Sequence, residues 1–133
     1  MKNILVVDDD LNMRIYIATV MNTSGYKAIV ARDGKDGFRA AQDASPILII
    51  LDLMMPEEGG IIMYRNLKED PKLKNVPVIV VSGVESKTFD HSLKMLNIGR
   101  DSDIPEPEAY IEKPPKAQEL IATVEAVLQL ASE

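Results

Sequence analysis

The carboxylate of Asp52 closes an otherwise apolar run, Ile47-Leu48-Ile49-Ile50-Leu51. A charge at the end of such a run costs free energy unless a cation or strong donors meet it. A second apolar run, Asn3-Ile4-Leu5-Val6-Val7, closes the same way in Asp8-Asp9-Asp10. A third, from Val78 to Val81, closes in the hydroxyl of Ser82, and a fourth, around Tyr110-Ile111-Glu112, leads into the ammonium of Lys113. Converging on one crevice, these groups suit phosphoryl chemistry. The carboxylates are hard oxygen ligands of the kind Mg²⁺ accepts, one or two at a time, while keeping several waters. A phosphoryl group arriving at Asp52 can share that ion, with Ser82 donating to one of its oxygens and Lys113 neutralising another as a point charge.

The elements that must position these groups are legible as alternating patterns. The Ile47–Asp52 run lacks helical periodicity and is flanked by Ser45-Pro46 and Pro56, so it reads as a strand covered on both faces. After a first strand at residues 3–7, Asp10 suits the cap of a helix over 11–24. Its apolar face is expected from Leu11, Ile15 and Ala18 together with Ile17, Val20 and Met21, and Gly25 suits its stop. Tyr26–Ala31 reads as the second strand and Lys35–Gln42 as a short helix. Gly59-Gly60 opens a helix over 61–68, and Val76–Ser82 is the fourth strand, with Pro77 near its start where a missing donor is tolerated. Ser86–Ile98 is a fourth helix. Residues 99–108 hold two prolines and four acids and read as irregular. Ala109–Glu112 is the fifth strand. Pro114-Pro115 suits the start of a last helix carrying Leu120, Val124, Val127, Leu128 and Ala131 on one face. Strands alternating with helices imply an α/β fold with a parallel sheet, whose ligands bind outside the carboxyl ends of the strands where strand order reverses.

Composition limits the function classes. The 133 residues suffice for one domain with a proper core. A net charge of −6 disfavours direct contact with nucleic acid, since there is no basic stripe to displace counterions. The chain has no cysteine, which excludes thiolate metal sites and thiol nucleophiles. Its apolar runs fall well short of the roughly 20 residues a membrane helix needs, and the N-terminus lacks a signal-peptide layout. A soluble, cytoplasmic, single-domain protein is expected over 1–133.

Four motifs carry a resemblance: Val6-Val7-Asp8-Asp9, Leu51-Asp52-Leu53-Met54-Met55-Pro56, Val81-Ser82-Gly83 and Tyr110-Ile111-Glu112-Lys113-Pro114. Together and in this order the chain resembles a response-regulator receiver domain of two-component signalling. The resemblance implies a flavodoxin-like, doubly wound five-stranded parallel sheet in strand order 2-1-3-4-5 with five helices. It implies that Asp52 is the phosphoacceptor and that Asp8 and Asp9 hold Mg²⁺, Asp9 directly, alongside Asp52 and the backbone carbonyl of Met54. Ser82 and Lys113 match the family's hydroxyl and lysine, and Tyr110 its switch aromatic. The implied donor is a sensor histidine kinase or histidine phosphotransfer protein and the implied output a downstream protein target, with no nucleic-acid contact, no membrane insertion, and a monomer or weak dimer.

Other readings bear on the same residues. Asp10 alone is a helix cap; Ser82, Lys113 and Tyr110 taken singly are a strand-end hydroxyl, a solvated lysine and a packed aromatic. His91, the one histidine, reads as a surface residue. The methionines, including Met54 and Met55 beside the site, read as core filling. A phosphorylation-independent interaction module is one alternative function. A Mg²⁺-dependent aspartyl phosphohydrolase is another, but that class carries an aspartate two residues after the nucleophile, where this chain has Met54. The stretch between Ser82 and Lys113 is longer than the family pattern, which places an insertion near 99–108, and Pro115 stands where many members have an aromatic.

Overall fold

The computed structural model describes residues 2–55 and 59–132; Pro56, part of the second motif, lies outside the described residues. Among the described residues five strands and five helices alternate. They are β1 (Asn3–Val7), α1 (Leu11–Thr23), β2 (Lys27–Ala31), α2 (Gly34–Ala44), β3 (Leu48–Leu51), α3 (Gly59–Glu69), β4 (Val78–Ser82), α4 (Ser86–Asn97), β5 (Ala109–Glu112) and α5 (Ala117–Ala131). The strands form one sheet in the order β2-β1-β3-β4-β5, and every adjacent pair is parallel. This is the doubly wound, flavodoxin-like arrangement that the resemblance implied.

Both faces of the sheet are covered, so successive residues of the central strand enter different cores. Ile49 and Leu51 of β3 pack with Leu5, Val7, Val78 and Val80 against Ala41 of α2, Met63, Tyr64 and Leu67 of α3 and Phe89 and Leu93 of α4. Leu48 and Ile50 turn the other way, with Ile4, Val6, Ile79 and Val81, onto Ile17, Val20 and Met21 of α1 and Leu120, Val124 and Val127 of α5. A buried aliphatic side chain of this kind contributes about 1.5–3 kcal/mol. That explains why β3 carries no polar residue until it reaches the edge of the sheet at Asp52.

Several expectations shift. Only one stripe of α1 can face the sheet, and it is Ile17, Val20 and Met21; Leu11 and Ile15 lie on the far side, 56% and 55% exposed. Ala131 is likewise exposed at the end of α5. Met21, Met55 and Met63 fill core as expected, but Met54 and Met95 are exposed. Pro114-Pro115 precede the last helix rather than forming its first turn: α5 begins at Ala117, with Lys116 at the N-cap. Strand ends move by one or two residues. Val76-Pro77 falls outside β4, although the Pro77 carbonyl still accepts from Ile49 N at 3.0 Å. Asp10 caps α1 as read, its carboxylate accepting from Asn12 N, and Asp33 does the same for α2 through Asp36 N.

The irregular segment 99–108 is irregular but anchored. The side-chain amide of Asn97 brackets Ile104, donating to its carbonyl at 3.1 Å and accepting from its N–H at 2.7 Å. Ile104 is buried in the α2/α3/α4 core. The Tyr64 hydroxyl donates to the Pro105 carbonyl. At the far end Glu108 accepts from Val78 N at 2.7 Å and pairs with the buried Lys68 at 3.6 Å. Asp101, Asp103 and Glu106 remain exposed on this docked frame.

Candidate functional site

Three backbone bonds set the strand ends side by side. Asp52 N donates to Val7 O at 2.9 Å, so the residue after β3 sits beside the end of β1. Lys113 N donates to Ser82 O at 2.8 Å, which ties the residue after β5 to the end of β4. Asp8 N donates to Ala31 O at 3.2 Å, joining the end of β1 to β2. The order of strands reverses between β1 and β3, and it is there that Asp8 and Asp52 meet.

The carboxylates lie deep. Asp8 is 1% and Asp52 3% exposed, and Ser82 is fully buried. Lys113 Nζ reaches both acids, at 2.9 Å from Asp8 Oδ2 and 3.4 Å from Asp52 Oδ2. The approach to Asp8 is close but poorly aligned, so Asp8 Oδ2 has no directed donor and the attraction is one of charge. The other oxygen, Asp8 Oδ1, accepts from Asp10 N at 2.9 Å, and Asp52 Oδ1 accepts from Met54 N at 3.2 Å. Burial first, then the charge of Asp8, push Asp52 above its usual carboxylate range, against the opposing pull of the Met54 N–H and of Lys113. Burial works to lower Lys113, but the nearby Asp8 and Asp52 outweigh it and hold the ammonium above its usual value.

Oxygens of Asp8, Asp9 and Asp52 all come within 4.8 Å of one another. Two buried carboxylates and one exposed, with one buried oxygen lacking a directed donor, suit a hard divalent cation better than they suit each other. Ser82 Oγ accepts from Val84 N at 3.2 Å, and the Tyr110 hydroxyl donates to Val84 O, so Ser82 and Tyr110 share one loop. The Tyr110 ring packs on Phe89 at 5.8 Å between centroids, and Phe89 meets Tyr64 edge-on at 5.6 Å. Burial raises the Tyr110 hydroxyl pKa. The Met54 side chain is 65% exposed beside the crevice, and His91 is exposed on α4.

Two contributors escaped the sequence reading. Gly60 opens a helix, and a Cβ there would also collide with the Asp52 carbonyl and the Leu53 Cα. The start of α3 therefore packs directly onto the turn that carries Asp52, and only glycine permits it. Arg14 Nη1 donates to the Asp8 carbonyl at 2.9 Å. Its only sequence signal was an arginine six residues beyond a strand-end aspartate.

A family model described as the response regulator receiver domain matches residues 4–125, and the chain belongs to that family. The phosphate regulon transcriptional regulatory protein PhoB of Pseudomonas aeruginosa is 33% identical over 128 residues, covering 96% of this chain and 52% of PhoB. The polar-differentiation response regulator DivK of Brucella anthropi is 30% identical over 128 residues, covering 96% of each. The chain thus spans about half the length of one relative and nearly all of the other. The fold is that of the chemotaxis protein CheY4 of Vibrio cholerae, with a TM-score of 0.81 at 24% identity over 96% of this chain and 98% of CheY4. Among the described residues, no helix is long and apolar enough to cross a membrane.

Proposed function

We propose that residues 1–133 form one receiver domain in which Asp52 accepts a phosphoryl group from a phosphohistidine on a sensor histidine kinase or histidine phosphotransfer protein. The observation that carries the reading is the convergence of Lys113 on two buried carboxylates at the strand-order reversal. An Asp52 oxygen attacks phosphorus in line as the bond from phosphorus to the imidazole nitrogen breaks. The electron pair leaves with the imidazole, and an acyl phosphate remains. Asp8, Asp9, Asp52 and the Met54 carbonyl would hold Mg²⁺, which when bound offsets the charge of the phosphoryl oxygens. Lys113 takes a second share of that charge, and the Ser82 hydroxyl turns from Val84 N to donate to a phosphoryl oxygen. Tyr110, bonded to the same Val84, is the aromatic whose setting changes with it. The acyl phosphate adds about −1.5 to −2 charge and biases a surface for a downstream protein target, in a cytoplasmic setting.

Incubating the protein with Mg²⁺ and acetyl phosphate tests this. One phosphoryl group should add to the intact mass, lost on chelation and in Asp52→Asn. Labelling that survives in Asp52→Asn would refute the assignment, and no labelling in the folded wild type would favour a phosphorylation-independent module.

A further inference from the structure

Asp9 is the least supported of the three acids. It is exposed, and its carboxylate makes no hydrogen bond or ion pair among the described residues, yet its oxygen lies within 4.8 Å of ligand oxygens on Asp8 and Asp52. Its direction therefore depends on the peptide plane that joins it to Asp8. That plane faces a standing load, because three carboxylates in one crevice repel and the β1–α1 turn is the exposed side that can give way. Asp8 itself is held by its N–H on Ala31 O and by its Oδ1 on Asp10 N. Neither bond fixes its carbonyl, which is the half of the peptide that orients Asp9.

Arg14 closes that gap. It lies in the first turn of α1, where its N–H bonds Asp10 O at 2.9 Å, and its side chain reaches back so that Nη1 meets the Asp8 carbonyl at 2.9 Å. Three aspartates stand nearby in sequence, but among the described residues Arg14 makes no ion pair with any of them. The guanidinium is used on the backbone. We propose that Arg14 is a positioning residue for the cation site: by clamping the Asp8 carbonyl to α1 it holds the Asp8–Asp9 peptide in the plane that aims Asp9 at Asp52. This rests on the reading of the site as a Mg²⁺-dependent phosphoacceptor. Positioning and simple electrostatics predict opposite signs. A guanidinium acting only as a nearby positive charge opposes a divalent cation, so its removal would tighten binding. As a clamp, its removal weakens binding, and partners at one remove from a metal typically matter by about 10–100-fold in affinity.

The test is calorimetric titration of MgCl₂ into metal-free wild type, Arg14→Met and Arg14→Lys, with acetyl phosphate labelling followed across Mg²⁺ concentrations. Arg14→Met should raise the Mg²⁺ dissociation constant about tenfold or more, while its labelling rate at saturating Mg²⁺ returns close to wild type. Arg14→Lys, which keeps a donor, should recover most of the affinity. Without metal, the Asp9 amide resonance should shift and broaden in Arg14→Met. Equal or tighter Mg²⁺ binding in Arg14→Met overturns the proposal, as does a lowered melting temperature with unchanged affinity. An undisturbed Asp9 amide overturns it whatever the metal data say. Should Arg14→Met fail to fold, Arg14→Ala, which also removes the donor, is held to the same readouts. Wild type that neither binds Mg²⁺ nor labels would instead bring down the functional reading, a result distinct from wild type that does both beside an unaffected variant.

Discussion

At the scale of single residues, Asp52 combines burial with a neighbouring like charge, and both favour its protonated form. The folded carboxyl titrates above the usual 3.8 expected for the unfolded chain. Between those two values the native state binds more protons than the unfolded one, so stability falls as pH rises through this window and stays lower above it. Asp52→Asn should therefore melt at a higher temperature than wild type at neutral pH in metal-free buffer. The gain should shrink as pH falls through the folded value and vanish below the unfolded one; scanning calorimetry across pH checks it, and a destabilised Asp52→Asn at pH 7 would contradict the burial argument. On the proposed chemistry, lifetime depends on two further residues. Met54 and Val84, two positions beyond Asp52 and Ser82, offer no group that orients water, and such assistance is commonly worth about 10²–10⁴-fold. The phosphorylated state should decay slowly, and Met54→Asn or Met54→Glu should shorten it, as followed by loss of the phosphoryl mass. A wild-type half-life of seconds, untouched by either replacement, would refute the account.

At the scale of elements, the segment between α4 and β5 is fixed at both ends and in its middle. Asn97 supplies two bonds to Ile104, and Tyr64 supplies one to Pro105. Burial first, then the charges of Glu108 and Glu106, push the Tyr64 hydroxyl up, so it remains a donor over the whole working pH range. Asn97→Ala leaves the Ile104 N–H and carbonyl without these partners, which should cost about 1–3 kcal/mol. Denaturant unfolding should register that loss. Amide exchange should quicken at Ile104 and its neighbours, while acetyl phosphate labelling stays near wild type. Loss of labelling in a folded Asn97→Ala protein would mean that the segment supports the site itself. The exposed acids Asp101, Asp103 and Glu106 can be exchanged for serine without touching the anchors, and such exchanges should alter partner affinity before they alter phosphorylation.

At the scale of the molecule, the site is part of the fold's energetics. Acids at the ends of β1 and β3 meet across the middle of the sheet, and the cation of the proposed function would bind the native state alone. Mass action then stabilises the whole domain by about 2.7 kcal/mol at a ligand concentration of 100 times the dissociation constant. Mg²⁺ should raise the melting temperature of wild type progressively, and of Asp9→Ala far less. Asp10→Asn should behave like wild type, since Asp10 is occupied as the cap of α1. A response lost in Asp10→Asn and kept in Asp9→Ala would put the ligand assignment one residue out of register.

The alternation of strands and helices, the parallel sheet and the acids at its carboxyl end are legible in the chain. These follow from local patterns: apolar runs that stop at Asp8 and Asp52, the capping aspartate Asp10, and prolines and glycines between elements. Tertiary structure decided what depends on which neighbours arrive. Leu11-Ile15-Ala18 and Ile17-Val20-Met21 are equally apolar stripes on α1, and only packing against the sheet selects the second. The start of α5 moved to Ala117 because the chain first passes through the turn that bonds Lys113 to Ser82. Residues 99–108 read as a plain irregular insertion, for nothing local announces that Asn97, Tyr64 and Lys68 will hold them. Gly60 against Asp52 and Arg14 on the Asp8 carbonyl were invisible for the same reason. Each depends on a backbone atom of the site, the Asp52 or the Asp8 carbonyl, that only the fold brings within reach, and backbone atoms carry no sequence signature of their own.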